Sequence, residues 1–347
     1  MNANEKNLIN GYIYYYDQNL LAGDIVLTSA NTATSKAIRL GTQSEFSHVM
    51  MMINKCAYVH AIANGVESGN IQREIFDKPE YMQVLRLKNR EKYALSLEQV
   101  IKKVTHDIAK PYSVPNAINA KFKIPFNFNT LETKRYCSQL VALAYKEANI
   151  DLVKNPNYCT PEEILQSGLL EKINIKLTDI TSSEIHPLYK LSLLEPNPLI
   201  LHNKQIREAI IEVQKITSNS YLSFYDIDNF LVKNKNFDET ITYIFLQKGY
   251  FDFPQKIKEA NPYRYGNQHE FNDFIEKNYD IKDRKFLIQH LKEMSSNMLL
   301  KHKEDLEMVE HAQKKFGNLH FIQKKIELYK CLCEMYNKLL NNCNQYI

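Results

Sequence analysis

Tryptophan is missing from the 347-residue chain, while tyrosine occurs 22 times. Together with the frequent Asn, Lys and Ile, that skew is a compositional bias and carries no chemistry of its own. No stretch reaches the roughly 18–20 consecutive apolar residues that a bilayer-crossing helix requires. The first ten residues are polar and lack an apolar segment behind a basic start, which excludes a cleaved secretory signal. The expectation is a protein that stays in the cytoplasm, or one that leaves by a route needing no cleaved signal, as an effector delivered to another cell would. Charge of one sign is also lacking: 44 basic against 40 acidic side chains leave a net +4. No concentrated basic face follows from that balance, so a nucleic-acid partner is not expected. The six cysteines, Cys56, Cys137, Cys159, Cys331, Cys333 and Cys343, are irregularly spaced in a chain too large to need disulfide staples, which points to a reducing compartment. Neither a CxxC nor an HxxxH pair occurs among the candidate residues, and Cys331-Leu332-Cys333 lacks the usual two-residue gap. No metal and no cofactor are therefore expected.

What is present is an ordinary globular composition, 44% hydrophobic and 24% charged, long enough for two domains. The first half alternates strand-like and helix-like runs. Leu8–Leu20 reads as a short helix; Ile25–Thr28, Phe46–Asn54, Ala57–Ile62 and Met82–Leu87 read as strands. Leu97–Ile108 has helical spacing, and Lys110–Asn129, rich in Pro, Asn and Phe, reads as a long loop of the kind that often serves function. In Tyr136–Ala148, Leu140, Val141, Ala144 and Ala148 recur at helical intervals. Thr160-Pro161 begins another helix, with Thr as its cap. After a proline-punctuated linker around Glu195–Pro198, helical patterns run to the end. They cover 206–216, 239–247, 270–278, 284–299, 304–315 and 321–340, the last strongly amphipathic and suited to a bundle core. The expected division is a catalytic domain over residues 1–192 and an all-α domain over residues 199–347.

Cysteine can act as a nucleophile only as a thiolate, with a base near it and a group that orients the base. Cys137 opens an amphipathic helix, where free N–H groups and the helix dipole lower a thiol pKa, and Lys134 and Arg135 precede it. The competing reading is a small buried thiol on a core-facing helix, and spacing alone favours it. His48 and His60 lie in neighbouring strand-like runs, so an antiparallel pairing would bring them close. One ring could then take the thiol proton while the other fixes its tautomer. Taken singly, each histidine reads as an ordinary core or edge residue.

The ordered blocks Gly23-Asp24-Ile25-Val26-Leu27, Ser35–Arg39, Ser47-His48-Val49, Tyr58-Val59-His60-Ala61, Gly65-Val66, Lys110-Pro111-Tyr112, Tyr136–Val141, Thr160-Pro161 and Ser167–Leu170 resemble the permuted NlpC/P60 group of papain-like proteins. Within it they are most similar to the YiiX/YaeF-like branch, which is related to the lecithin–retinol acyltransferase-like enzymes. The resemblance implies an α+β, circularly permuted papain-like domain in which the histidine strand precedes the cysteine helix. It also implies Cys137 as nucleophile, His48 as base and His60 as orienting residue. Tyr112 and Tyr136 become candidates for the substrate pocket, although packing is the plainer role for both. The activity implied is a thiol amidase or peptidase working through an acyl-enzyme on a peptide or N-acyl amide. A lipid acyltransferase or phospholipase, and a non-catalytic binding module on the same fold, are the alternatives. Three departures stand out: His60 where YiiX-like members commonly carry Glu, Gln139 where Cys-Ser-Glu is usual, and no acyltransferase-type signature around Cys137. The helical region resembles nothing recognised. A regulatory or targeting module, a scaffold completing the substrate groove, or a protein-partner surface is expected of it, with peripheral membrane contact left open.

Overall fold

β-Branched and aromatic residues pair into strands where they can bury both faces, and residues 25–28 do so completely. The computed structural model describes residues 10–15, 20–110, 136–183, 185, 193, 197–220 and 222–346. By density of contacts the chain divides into two compact units, residues 1–203 and 204–347. The division falls inside the helix Pro198–Thr217, a little beyond the proline-rich segment.

In the first unit the strands are β1 (Tyr12–Ile13), β2 (Ile25–Thr28), β3 (His48–Met52), β4 (Ala57–Ile62), β5 (Gly65–Asn70), β6 (Ile75–Phe76), β7 (Met82–Leu87), β8 (Leu170–Ile173) and β9 (Thr178–Asp179). The helices are α1 (Ala33–Thr42), α2 (Ala94–His106), α3 (Cys137–Glu147) and α4 (Pro161–Leu165). Among the described residues the larger sheet has the order β5-β4-β3-β2-β7-β8, and a smaller one the order β6-β1-β9. Every printed pairing in both is antiparallel. Helix α3 packs against β3 and β4 on one side and α2 on the other. Met50, Met52 and Tyr58 join Tyr14, Val26, Ile71, Phe76 and Val84 in one apolar core cluster. This is the α+β architecture expected, sheets first and helices after.

Several elements differ from expectation. The helix expected over Leu8–Leu20 is replaced, within the described residues 10–15, by strand β1, which pairs with both β6 and β9. The tyrosine-rich run can satisfy either period. Here Ile13 and Tyr14 enter different apolar clusters, the period-two burial of a strand. Strands β5 and β8 were not foreseen, because GVESGN and LEKI have weak intrinsic strand character and form by pairing with β4 and β7.

The first residues of β2 hold several elements at once. Asp24 is fully buried and accepts from Arg86 Nε at 2.8 Å, Arg86 Nη2 at 2.7 Å and the Leu21 N–H at 2.8 Å. Arg90 Nη1 adds a longer ion pair at 3.7 Å. The Asp24 carbonyl receives the Met52 N–H of β3, and the Gly23 carbonyl receives the Tyr145 hydroxyl of α3.

In the second unit the helices are α5 (Pro198–Thr217, shared across the boundary), α6 (Ile227–Lys233), α7 (Asp238–Gln247), α8 (Phe253–Ala260), α9 (Pro262–Tyr265), α10 (Gln268–Asn278), α11 (Ile281–Phe316) and α12 (His320–Gln345). The runs 284–299 and 304–315, read from sequence as separate helices, are one continuous α11. No Gly or Pro interrupts it before Gly317, which takes φ 86° and ends it. Helix α12 has no capping side chain of its own at Leu319; Asp238 caps it instead, accepting from the N–H groups of His320 and Phe321. Phe245, Phe271 and Phe321 are fully buried and anchor this unit's core. No helix among the described residues is long and apolar enough to cross a membrane.

Removing Asp24 leaves the Arg86 guanidinium half-enclosed without its carboxylate, a loss of about 3–5 kcal/mol for a buried pair. Urea unfolding of Asp24→Ala, followed by near-ultraviolet dichroism, is expected to show a destabilisation of that order. A loss below about 1 kcal/mol would mean that the pair does not anchor the sheet.

Candidate active site

Cys137 is the first residue of α3. Tyr136 before it is extended at φ −119° and ψ 167° and offers no side-chain cap, so the first-turn N–H groups keep their donors free. The thiol is buried at 8% exposure. Its sulfur is faced by the backbone N–H groups of Val49, Ser138 and Cys137 and by the Ser138 hydroxyl.

The Val49 contact follows from strand geometry. Met52 N–H donates to the Asp24 carbonyl at 2.8 Å, so alternation along the antiparallel ladder turns the N–H groups of Met51 and Val49 away from β2. Pairing of β3 with β4 stops at Met50–His60. The Val49 N–H thus emerges where the two strands part, and the Cys137 sulfur meets it there. His48, the residue before, opens β3. Its entry is fixed by the Ser47 N–H to Thr28 carbonyl bond of 3.0 Å and the Ser35–Ser47 hydroxyl contact of 2.7 Å.

His48 Nε2 lies 3.0 Å from His60 Nδ1, with ring centroids 5.1 Å apart and planes at 71°. The bond is diagonal, because the residue directly across from His60 is Met50. With Nε2 engaged, His48 has Nδ1 left for proton exchange. Period-two alternation puts His48, Met50 and Met52 on one face of β3, and Tyr58 and His60 on one face of β4. The Tyr58 ring meets His60 edge-on at 4.9 Å.

Burial sets the charge state of this cluster. It pulls the His48 pKa from 6.5 down to about 4. Burial, then the neighbouring His48, hold His60 well below 6.5. The Cys137 thiol is pushed up by burial, against the opposing pull of the N–H groups around it. At neutral pH burial therefore keeps the Cys137 thiol and both imidazoles in their neutral forms.

The other candidate positions sort as follows. Tyr136 is buried and its hydroxyl donates to the Asn157 carbonyl at 3.0 Å, fastening the chain before α3 to the segment that follows it. Ser138 makes a parallel tie, donating to the Cys159 carbonyl at 2.8 Å. Tyr112, and the loop from Lys110 to Asn129 beyond its first residue, lie outside the described residues. Gln139 is fully buried, and among the described residues neither its amide oxygen nor its amide nitrogen has a hydrogen-bond partner. Leaving such groups unpaired costs about 1–3 kcal/mol. Among the described residues no group of three or more His, Cys, Asp or Glu is arranged to hold a metal ion. Sequence reasoning missed Tyr58, Ser138 and the Val49 N–H. Only Tyr58 left a signal, being two residues from His60 and so on the same strand face.

With this geometry in place, comparison with known proteins is informative. Residues 19–168 match the family described as permuted papain-like amidase enzyme, YaeF/YiiX, C92 family. That segment is similar to the permuted papain-like amidases of the YaeF/YiiX type. A curated relative, the uncharacterized protein YiiX of Escherichia coli strain K12, is 28% identical over 131 residues, covering 36% of this chain and 57% of the relative. The chain thus spans just over half the length of that relative. A solved structure titled metalloprotein yiiX, from Escherichia coli O157:H7, is 20% identical. It covers 46% of this chain and 99% of its own, with a TM-score of 0.35. The matched segment ends before β8, so α3 and its contacts with β3 and β4 lie wholly within it.

The neutral resting state has a direct consequence for thiol reactivity. Alkylation of Cys137 by iodoacetamide, read by mass spectrometry, is expected to rise with pH through and beyond the ordinary thiol range, with no low-pH plateau. A plateau between about pH 5 and 7 would reveal an ion pair and overturn the neutral assignment.

Proposed function

We propose that the chain is a cysteine hydrolase that cleaves an amide bond through an acyl-enzyme. The observation that carries this reading is the meeting of the Cys137 sulfur with the N–H of Val49, the residue that follows His48 in β3, while His48 is bonded to His60. The YaeF/YiiX amidase match supports the same class of reaction.

In the first step the Cys137 sulfur attacks the substrate carbonyl carbon while His48 Nδ1 takes the thiol proton. The carbonyl oxygen becomes an oxyanion, for which the uncapped N–H groups at the start of α3 are the nearest donors. Collapse breaks the C–N bond, and His48 passes its proton to the departing amine, leaving a thioester on Cys137. His48 then takes a proton from water, the resulting hydroxide attacks the thioester, and the carboxylic acid leaves as the thiol is restored. His60 holds the His48 ring in the tautomer that leaves Nδ1 free to accept. Every residue assigned here belongs to the unit ending at Asn203.

An activated ester tests the chemistry without knowledge of the natural substrate. With 4-nitrophenyl acetate, one equivalent of nitrophenolate per chain is expected in a burst, abolished in Cys137→Ala. In His48→Ala, both acylation and turnover should slow by roughly 10²–10⁴-fold, the usual worth of a general base. A burst that survives Cys137→Ala unchanged would end the assignment. Comparing peptide, N-acyl amide and lipid pools after expression of wild type and Cys137→Ala then identifies the natural bond. Accumulation of amides in the variant supports the amidase reading, and a change confined to phospholipids replaces it with acyl transfer on lipid.

A further inference from the structure

His60 has to be oriented in its turn, and the residues around it do this with an unusual arrangement. Tyr58 lies directly opposite Gly69 in the β4–β5 register. A Cβ built on Gly69 would fall 2.1 Å from Tyr58 Cζ and 2.6 Å from its Cε2. The tyrosine ring is therefore folded flat over the bare backbone of β5, in space that any other residue at position 69 would fill. At its far end the hydroxyl donates to Glu74 Oε1 at 2.5 Å. Burial raises the Glu74 carboxyl, against the effect of that hydrogen bond. Seated below and fastened at the tip, the ring presents its edge to His60, and His60 reaches His48 at 3.0 Å.

We propose that Tyr58, seated over Gly69 and tied to Glu74, is the positioning residue that fixes the His60 ring and through it the His48 base. This rests on the cysteine-hydrolase reading for its consequence, though not for its geometry. The charged and titratable groups that face His60 are His48 from β3, Tyr58 on its own strand, Glu67 directly opposite on β5, and Glu74 beyond the Tyr58 ring. Neither the Tyr58 ring nor the glycine touches the sulfur. Their effect is read through the histidines: a fixed ring keeps water out of the His48–His60 contact and keeps one tautomer populated.

The test uses full-length protein and two independent ways of moving the ring. Tyr58→Leu deletes it, and Gly69→Ala forces it off the strand; Tyr58→Phe keeps the ring and loses only the hydroxyl. Two readouts are taken: imidazole ¹⁵N chemical shifts across pH, and the pH profile of thioester breakdown after the 4-nitrophenyl acetate burst. In wild type, one tautomer of each histidine is expected, with no protonation until well below pH 6. In Tyr58→Leu and Gly69→Ala, proteins that still melt cooperatively should show averaged tautomers. Water admitted to the contact lets the His48 pKa climb back toward 6.5. Because the base works only when neutral, the acid limb of the profile should move up by about one to two pH units. Tyr58→Phe should keep the wild-type tautomers and profile. Unchanged nitrogen shifts in both ring-moving variants would overturn the proposal, as would a Tyr58→Phe profile as disturbed as that of Tyr58→Leu. Should either ring-moving variant fail to fold, the other and Tyr58→Phe still decide. If wild type shows no burst, the hydrolase reading fails while the nitrogen shifts continue to test the positioning role.

Discussion

The arrangement of the site depends on the short segment Gly23–Asp24, where one turn holds three elements that must agree with each other. The Asp24 carboxylate binds β7 through Arg86, its carbonyl binds β3 through Met52, and the preceding Gly23 carbonyl binds the far end of α3 through Tyr145. The helix that begins with Cys137 and the strand that begins with His48 are thus referenced to the same two residues, each by a hydrogen bond to backbone. Neither bond lies at the site itself. The helix is anchored near its last turn and the strand at its last residue, and their other ends are in contact through Cys137 and Val49. At that end the sulfur meets the Val49 N–H, with the Ser138 hydroxyl also facing it.

The register of β3 supplies the second constraint. Because hydrogen-bonding direction alternates along a strand, the residue at which the β3–β4 ladder stops decides which N–H is left over. Stopping at Met50 leaves the Val49 N–H, and places His48 one residue further, diagonal to His60. Continued pairing to Val49 would engage that N–H with β4 instead. The site therefore exists at the divergence of two strands, a position that no individual residue specifies.

Much of this framework is legible in the chain before folding. Leu140, Val141, Ala144 and Ala148 recur at helical intervals, and each is buried to 1% exposure or less, so α3 and the terminal place of Cys137 follow from periodicity. The run Ala57–Ile62 is a strand over those same residues, and Thr160 with Glu163 forms the capping box its sequence implies. What could not be read depends on partners distant in the chain. β5 contains two glycines and a glutamate, and is a strand because β4 lies beside it. Gly69 is explained only by the tyrosine opposite, and Glu74 only by that tyrosine's hydroxyl. The proximity of His48 and His60 was readable as strand adjacency, but their diagonal offset was not, since register is set by where pairing ends. Tyr12 and Tyr14 fit a helical or an alternating pattern equally, and the smaller sheet decided between them.

A histidine in the third position, where a carboxylate is the common choice, changes the chemistry expected of the base. A carboxylate would stabilise an imidazolium by charge and raise the pKa of His48. His60 is neutral, supplies one hydrogen bond and no charge, and sits in the same desolvated place, so His48 falls to about 4. In the proposed mechanism a base this weak would draw the thiol proton only as the sulfur commits to a carbonyl. Its conjugate acid is correspondingly strong and surrenders its proton readily. In amide cleavage the amine must be protonated before it can leave, and that step gains most from a strong acid. Under the proposed mechanism, the pairing of two half-buried neutral histidines would favour expulsion of a poor leaving group over storage of a ready nucleophile, which suits an amide better than an activated ester.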